Sequence, residues 1–169
     1  DTIKTKLNLE MAATEEMLKF SKKLLPDYVT LVPEKRKEIT TEGGLDVKNN
    51  EKYLKDYVDS LKSSNIEVSA FIDPLNDQIN SSKEIGFNFI ELHTGKYAEL
   101  KGQKQYAELQ KIIESSYYAI DLGLVVNAGH GLNYQNVEKI ASINNINELN
   151  IGHSIVSRAL AVGLERAVR

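Results

Sequence analysis

The amino-acid sequence predicts an α/β protein in which a parallel β-sheet is covered by helices. Six short apolar runs are each followed by a segment with the amphipathic pattern of a helix, in strict alternation along the 169 residues. Parallel strands need long crossover connections, and helices supply them, so this alternation favours a parallel sheet. Because 41% of the residues are hydrophobic and 27% are charged, we expect a single globular domain spanning residues 1–169 with a buried core.

The predicted elements follow from the apolar runs and from residues that begin or end helices. Thr14, directly before Glu15 and Glu16, is typical of a helix N-cap, Pro26 ends the first helix, and Gly123 ends the longest one. The predicted strands cover residues 3–9, 28–32, 66–72, 87–92, 124–127 and 149–151. The predicted helices cover residues 14–24, 50–63, 76–85, 103–121, 134–142 and 154–169.

Two architectures fit six such units: an open doubly wound sheet, or an eight-stranded barrel from which two units are missing. The open sheet normally carries a glycine-rich turn after its first strand, and residues 8–11 (Asn-Leu-Glu-Met) are nothing like one. The barrel is therefore favoured. Because the chain opens directly on a strand and stops within a helix, we expect two N-terminal units to be missing and the last helix to be cut short.

The composition argues against several classes of site and partner. A net charge of −3, from 21 basic and 24 acidic residues, gives no field that would attract nucleic acid or an anionic membrane. The chain has no cysteine, so a disulfide, a thiolate metal site and a thiol nucleophile are excluded. No apolar run approaches the roughly 18 residues that span a bilayer. We expect a cytoplasmic protein.

In a barrel the active site lies at the carboxyl ends of the strands, and polar residues are concentrated at the predicted strand ends. All three histidines of the chain, His93, His130 and His153, lie there. The other polar residues at these ends are Glu10, Glu34, Thr40, Thr41, Glu42, Asp73, Glu91 and Asn127.

Two of these acidic residues have a catalytic and a structural interpretation. Burial could raise the pKa of Glu10 and let it act as a general acid or base, or Glu10 could be a carboxylate placed near a helix start by the helix dipole. Glu91 and His93 are two residues apart on one strand and therefore share a face. One could polarise the other, or the two could form a hydrogen-bonded structural pair.

Two glycine-containing segments follow the last two predicted strands and are candidate phosphate sites. Glycines flank His130 in residues 129–131 (Gly-His-Gly), so the backbone can approach a ligand while the imidazole donates or accepts a proton. Residues 152–154 (Gly-His-Ser) begin the last helix, and amides at a helix start bind phosphate readily. The structural alternative is that Gly152 only makes a tight turn and His153 only caps the helix.

The stretch from residue 31 to residue 46 is long enough to suggest a function. Its charged residues could simply form a solvated face. However, Thr40 and Thr41 supply hydroxyl groups, and Gly43 and Gly44 supply flexibility. We interpret the stretch as a loop that covers a substrate.

Five segments carry these residues in an order that resembles a known enzyme family. They are residues 8–12 (Asn-Leu-Glu-Met-Ala), 31–46, 89–95 (Phe-Ile-Glu-Leu-His-Thr-Gly), 126–132 and 148–153. Together they are similar to the pyridoxine 5′-phosphate synthase family, and the resemblance runs along the whole chain. It implies a (β/α)8 TIM barrel with additional helices, of which this chain covers about six βα units from the third strand onward. It also implies assembly as a homo-octamer.

The resemblance implies a reaction as well. It is that of a ring-closing synthase of the transferase class, which condenses 1-deoxy-D-xylulose 5-phosphate with 3-amino-2-oxopropyl phosphate to pyridoxine 5′-phosphate, releasing phosphate and water. It implies no metal and no organic cofactor. Imine formation, dehydration and ring closure are successive proton transfers, which need several groups that titrate near neutrality rather than a redox centre.

The resemblance also assigns roles to individual residues. It implies that Glu10 is a general acid/base carboxylate, that Glu91 stabilises charge during ring closure, and that His130 is a proton donor. Thr40 matches a contact to the deoxyxylulose phosphate, and the pocket for the amino-ketone phosphate is matched by Gly131, Gly152 and His153. In the family, the first two strands bring a further catalytic histidine and basic phosphate contacts, and this chain has no match to those segments.

Two other functions remain open from the residues alone. Another barrel enzyme acting on a sugar phosphate, such as an aldolase or isomerase, would share the phosphate loops. An aldolase of the Schiff-base type needs a lysine at a strand end, and no predicted strand ends in one. A non-catalytic module that binds a phosphorylated metabolite would keep Gly131 and Gly152 without needing Glu10 and His130.

Overall fold

A computed structural model of the protein describes residues 4–33 and 43–169. The six strands in this part of the chain are β1 (Asn8–Ala12), β2 (Tyr28–Val32), β3 (Glu67–Ile72), β4 (Phe89–His93), β5 (Val125–Gly129) and β6 (Ile146–Asn150). Each strand pairs in parallel with the next strand along the chain, so the order in the sheet is the order in the sequence.

Helices connect these strands and follow the last one. They are α1 (Glu15–Leu24), α2 (Glu51–Lys62), α3 (Asn76–Ile85), α4 (Gly95–Glu99), α5 (Gly102–Asp121), α6 (Val137–Ala141), α7 (His153–Val162) and α8 (Leu164–Val168), with a short 3₁₀ turn at Lys48–Asn50 before α2. Within the described ranges, none of these helices is long and apolar enough to cross a membrane.

The sheet is strongly curled. Tyr28 on β2 and Glu148 on β6 are four strands apart in the sheet, yet the Tyr28 hydroxyl donates a 2.5 Å hydrogen bond to Glu148 Oε2. In a flat sheet, strands about 4.8 Å apart would separate these positions by roughly 19 Å. The strand order also lacks the reversal that an open doubly wound sheet requires. The predicted barrel is thereby confirmed, as a partial barrel of about six βα units.

Successive side chains on each strand point to opposite faces of the sheet, and the two faces differ in polarity. The face under the helices is apolar and almost fully inaccessible; its residues include Val29, Leu31, Val68, Ala70, Ile72, Ile90, Leu92, Val126 and Ala128. The concave face, on which Tyr28 meets Glu148, also carries Asn8, Glu10, Thr30, Ser69, Glu91 and Asn127. The hydrophobic core therefore lies between sheet and helices, and the barrel interior is polar.

Of the predicted strands only β2 has the observed bounds; β3, β4 and β5 differ by one or two residues at an end, and β1 and β6 differ by more. β1 begins at Asn8 rather than at residue 3, and the Leu7 amide donates to Asp27 Oδ2 at 2.7 Å instead of joining the ladder. β6 covers Ile146–Asn150 rather than 149–151, because the pairing with β5 is irregular between Val126 and Ala128. Such a bulge changes the direction of the side chains that follow it. Polar side chains of β6, Asn147 and Glu148, face the barrel interior, so β6 lacks the apolar run expected of a buried strand.

Helix boundaries also differ in places from the prediction. α4 was missed because its five residues follow β4 with one residue between them. The single predicted helix over 154–169 is divided into α7 and α8 at Gly163, whose φ of 84° does not fit a continuous right-handed helix. α1 begins as predicted, since Thr14 Oγ1 accepts a 3.2 Å hydrogen bond from the Met17 amide.

Candidate active site

The carboxyl ends of β3, β4, β5 and β6 form a compact polar cluster. Glu91 and His93 project from β4, and the neighbouring position on β5 is Gly129, which pairs with His93 in the register. Gly129 has no room for a side chain, because a Cβ atom there would lie 2.1 Å from Glu91 Oε1 and 3.0 Å from the backbone oxygen of Asn150. The glycine thus makes space for the Glu91 carboxylate.

Glu91 is the most perturbed acidic group of the site. It is only 3% exposed, and Asn150 Nδ2 donates a 2.6 Å hydrogen bond to its Oε2. Burial raises the pKa of Glu91 to about 7, with the Asn150 hydrogen bond opposing the change and the negative charge of Glu10 adding to it. A carboxyl group that titrates near neutrality can both donate and accept a proton under ordinary conditions.

Glu10 is an exposed residue on β1, at the other end of the described sheet. Because the sheet is curled, its charge nevertheless acts on Glu91 across the barrel. The sequence left open whether Glu10 faces the barrel or only precedes a helix. The register settles this point, since Glu10 pairs with Thr30 on the concave face, where Thr30 Oγ1 donates to Asn8 Oδ1 at 3.0 Å.

His93 pairs with Asp73 rather than with Glu91. Its Nδ1 lies 3.0 Å from Asp73 Oδ1, at the end of β3. The hydrogen bond from His93 holds the pKa of Asp73 below its usual value, and the Gly44 amide and the charge of Lys96 contribute in the same direction. The hypothesis that Glu91 and His93 polarise each other is thus replaced by two separate pairs, Glu91 with Asn150 and His93 with Asp73.

His130 adopts a left-handed backbone conformation, with φ of 75°. A residue other than glycine pays a conformational penalty there, which must be offset by its surroundings. Thr94 provides part of that support, because its hydroxyl lies 2.7 Å from the Gly129 carbonyl oxygen and 2.6 Å from that of His130 and shares its one proton between them. The His130 ring lies 5.0 Å from the His93 ring and 6.1 Å from the Phe71 ring, measured between centroids.

The two glycine segments are held together at one end of the barrel. Ser154 Oγ, in the first turn of α7, donates a 2.8 Å hydrogen bond to the carbonyl of Leu132, in the loop after β5. Gly131 packs tightly, since a Cβ there would lie 2.8 Å from that of Ala98. Gly152 instead faces open space, with no atom within 4 Å of where a Cβ would stand, and His153 beside it is exposed.

The structure connects several of the predicted residues: the charge of Glu10 acts on Glu91, and the His130 ring lies beside His93 on the strand of Glu91. Asn150, two residues before Gly152 in the chain, bonds Glu91. Thr40 lies outside the described residues, as do Glu34, Thr41 and Glu42, so its predicted substrate contact stays a prediction. Gly44 packs against the β3 backbone, where a Cβ would lie 2.5 Å from the Asp73 nitrogen, which gives it a packing role in addition to the predicted flexibility.

Two residues of the cluster were missed as participants. Asp73 was recognised only as polar and strand-ending, and Asn150 was not singled out. The position of Asn150 just before Gly152 was an available signal, but its partner is 59 residues away. In the described part of the chain, no group of three or more histidine, aspartate or glutamate residues could hold a metal ion.

Comparison with protein families identifies the chain. The family model described as "Pyridoxal phosphate biosynthesis protein PdxJ" matches residues 1–169. The chain belongs to the PdxJ family. Among the relatives of this PdxJ chain is a pyridoxine 5′-phosphate synthase of Prochlorococcus marinus subsp. pastoris, which is 91% identical over 169 residues, all of this chain and 71% of that protein. The synthase of Synechococcus sp. (strain CC9311) is 54% identical over 99% of this chain and 68% of that protein.

Solved structures that resemble the PdxJ chain share its fold at low sequence identity. The α subunit of tryptophan synthase from Campylobacter jejuni gives a TM-score of 0.64 at 14% identity, covering 98% of this chain and 65% of that one. A xylose isomerase domain protein from Planctomyces limnophilus gives 0.57 at 14% identity, covering 99% and 73%. At this identity the likeness shows the barrel fold alone.

Proposed function

We propose that this PdxJ chain carries most of the active site of a pyridoxine 5′-phosphate synthase. The reaction condenses 1-deoxy-D-xylulose 5-phosphate with 3-amino-2-oxopropyl phosphate and releases phosphate and water as the pyridine ring closes. The observation that carries the proposal is the buried Glu91 carboxyl, on which the charge of Glu10 acts and whose strand also bears His93, 5.0 Å from His130 between ring centroids. A relative that is 91% identical to this chain is named as this synthase.

Glu91 and Glu10 are the proposed proton-transfer carboxylates. The carboxyl of Glu91 is buried and titrates near pH 7, so it can hold a proton beside a developing charge and release it later. Glu10 is exposed on the same concave face, where it can exchange protons with solvent between steps. The two carboxylates differ in environment, and this difference gives them separate roles in one sequence of proton transfers.

His130 is the proposed proton donor, and the loops around it are the proposed phosphate site. The His130 ring lies beside His93 at the end of β4, with the two ring centroids 5.0 Å apart. The amides at the start of α7, together with Gly131, Gly152 and His153, would receive the phosphate of the amino ketone. The predicted contact of Thr40 to the deoxyxylulose phosphate, the octameric assembly and the cytoplasmic location belong to the same proposal.

The test supplies the full-length protein with both phosphorylated substrates and measures pyridoxine 5′-phosphate. We expect turnover by the unmodified protein and a loss of about 100-fold or more in kcat for Glu91→Gln and for His130→Asn, the range in which acid–base groups contribute. Glu84→Gln, an exposed change on α3, is the matched control and should retain full activity.

The outcomes separate the proposal from its alternatives. Absence of product with the unmodified full-length protein would overturn the synthase assignment. Substrate binding retained with full turnover in both variants would remove Glu91 and His130 from the chemistry. Binding of both substrates without any turnover would instead support a module that only binds phosphorylated metabolites.

A further inference from the structure

We propose that Asp73 and His93 form a positioning pair for His130. They hold its imidazole in one orientation, so that the proton donor is in place before substrate reacts. This inference rests on the proposed function of His130, and neither Asp73 nor His93 is among the residues assigned a role above.

In the hydrogen bond between Asp73 and His93, the imidazole is the donor. Three groups, His93, the Gly44 amide and Lys96, stabilise the ionised carboxylate of Asp73 and lower its pKa. An ionised carboxylate can only accept hydrogen bonds, so the proton between Asp73 and His93 is on Nδ1 of the imidazole. This bond fixes the orientation of the His93 ring and leaves Nε2 as its second polar atom.

The other ring nitrogen of His93, Nε2, is buried and has no hydrogen-bond partner within the described residues. A buried polar atom left without a partner is uncommon in a folded protein and calls for an explanation. His93 is 6% exposed, and Asp73 holds it through Nδ1. Its Nε2 is therefore placed to contact another group.

The His130 ring lies beside His93 Nε2. The His93 and His130 rings have centroids 5.0 Å apart and planes inclined by 60°. A Cβ atom added to Gly95 would lie 2.6 Å from His93 Nε2 and 2.9 Å from His130 Cδ2. Both ring edges therefore border the same small space beside Gly95, and only a glycine leaves that space empty.

The consequence for His130 is geometric. The bond to Asp73 fixes the ring of His93, and the packed ring of His93 restricts rotation of the His130 ring. Among the described residues, Glu91 lies on the same strand as His93, and the charge of Lys96 acts on Asp73; the variants below leave both unchanged.

The test uses variants of the full-length protein that separate the two nitrogens of His93. Asparagine places its amide near the Nδ1 position and keeps the bond to Asp73, whereas glutamine reaches the Nε2 position. We expect His93→Asn and Asp73→Asn to lower kcat about tenfold or more with KM within about twofold, the pattern of a lost transition-state interaction. His93→Gln should recover part of that loss. Gly95→Ala should resemble His93→Asn, since its methyl group displaces the two rings.

A second readout does not depend on turnover. Carbon–proton NMR spectra of the protein labelled on its histidine rings, recorded at one pH, report the surroundings of each imidazole, with the exposed His153 as internal reference. In Asp73→Asn and His93→Asn the ring signals of His130 should move and broaden, because the ring packed beside His130 is no longer held in place, while those of His153 are unchanged. Asp77→Asn, an exposed aspartate on α3, is the control and should change neither readout.

The results test the positioning pair and the proposed function separately. Unchanged His130 ring signals in both variants overturn the positioning pair whatever the activity. A KM rise with kcat unchanged in His93→Asn overturns it as well. If the unmodified protein makes no pyridoxine 5′-phosphate while the His130 signals change as expected, the proposed function fails and the coupling of the three residues stands.

Discussion

At the scale of single residues, the burial of Glu91 ties the proposed chemistry to stability. Its pKa is about 7 in the folded protein against an ordinary value of 4.5, so the folded state binds the proton more tightly than the unfolded chain. The protonated side chain carries no penalty below pH 4.5. As the pH rises from about 4.5 to about 7, the unfolded chain releases the Glu91 proton while the folded protein still holds it. The free energy of unfolding therefore falls over this range.

We therefore predict that Glu91→Gln stabilises the protein at neutral and alkaline pH. The gain in unfolding free energy should approach about 3 kcal/mol above pH 7 and vanish below about pH 4.5. Urea unfolding at a series of pH values measures it. The exposed change Glu84→Gln should show no such pH dependence, and equal curves for Glu91→Gln and the unmodified protein would contradict the prediction.

Two glycines of the site make a matched pair. Gly129→Ala would place a methyl group 2.1 Å from Glu91 Oε1 and 3.0 Å from the Asn150 backbone, so we expect a loss of stability of about 1 to 3 kcal/mol, as for an overpacked core, together with a loss of kcat. Gly152→Ala meets no atom within 4 Å and should leave stability unchanged while raising KM. Thermal unfolding and steady-state kinetics of both variants check this; equal stability losses would refute it.

At the scale of elements, the start of α1 depends on one side chain. Thr14 Oγ1 accepts from the Met17 amide, and the carbonyl of Thr14 receives the Tyr57 hydroxyl at 2.9 Å. Thr14→Ala removes only the side-chain cap, so we predict a loss of about 1 kcal/mol, measured by urea unfolding. Thr5→Ala, at an exposed residue before β1, is the control. Retention of full stability in Thr14→Ala would contradict a capping role.

The elements that the sequence predicted well are those whose signals are local. Thr14 marks the start of α1, Gly86 with φ of 96° marks the end of α3, and the apolar run over β2 has the predicted bounds. β6 was misplaced because its pattern depends on what it faces. Its polar residues Asn147 and Glu148 find partners inside the barrel, and no local pattern reveals a polar interior.

At the scale of the whole molecule, the Tyr28–Glu148 hydrogen bond connects strands at opposite sides of the barrel. Tyr28 is 5% exposed and stacks on Phe89 at 5.4 Å between centroids, and burial raises the pKa of its hydroxyl. We predict a coupling of about 1 kcal/mol between Tyr28→Phe and Glu148→Gln in a double-mutant cycle of unfolding free energies. Additive effects of the two changes would mean that the contact does not stabilise the curl.

The same scale explains which parts of the site could be predicted. Alternation of strands and helices was enough to predict the barrel, and the expectation that Glu10, Glu91 and His130 share one mouth follows from that barrel. The specific partners were not predictable, because Asn150 and Glu91 are 59 residues apart and Asp73 and His93 are 20 apart. Those pairs depend on strand register and on the bulge in β6, which arise only when the sheet is assembled.

The alternation of faces on β4 has a consequence for how this gene can change. Ile90 and Leu92 pack beneath the helices, while Glu91 and His93 lie between and after them on the other face. Insertion or deletion of one codon in this strand would exchange the two sets of side chains between the faces. The two ionisable groups would then be buried in the hydrophobic core, and the two aliphatic side chains would face the barrel interior. Point substitutions can therefore retune the chemistry or the packing independently, whereas changes of length in β4 would destroy both at once.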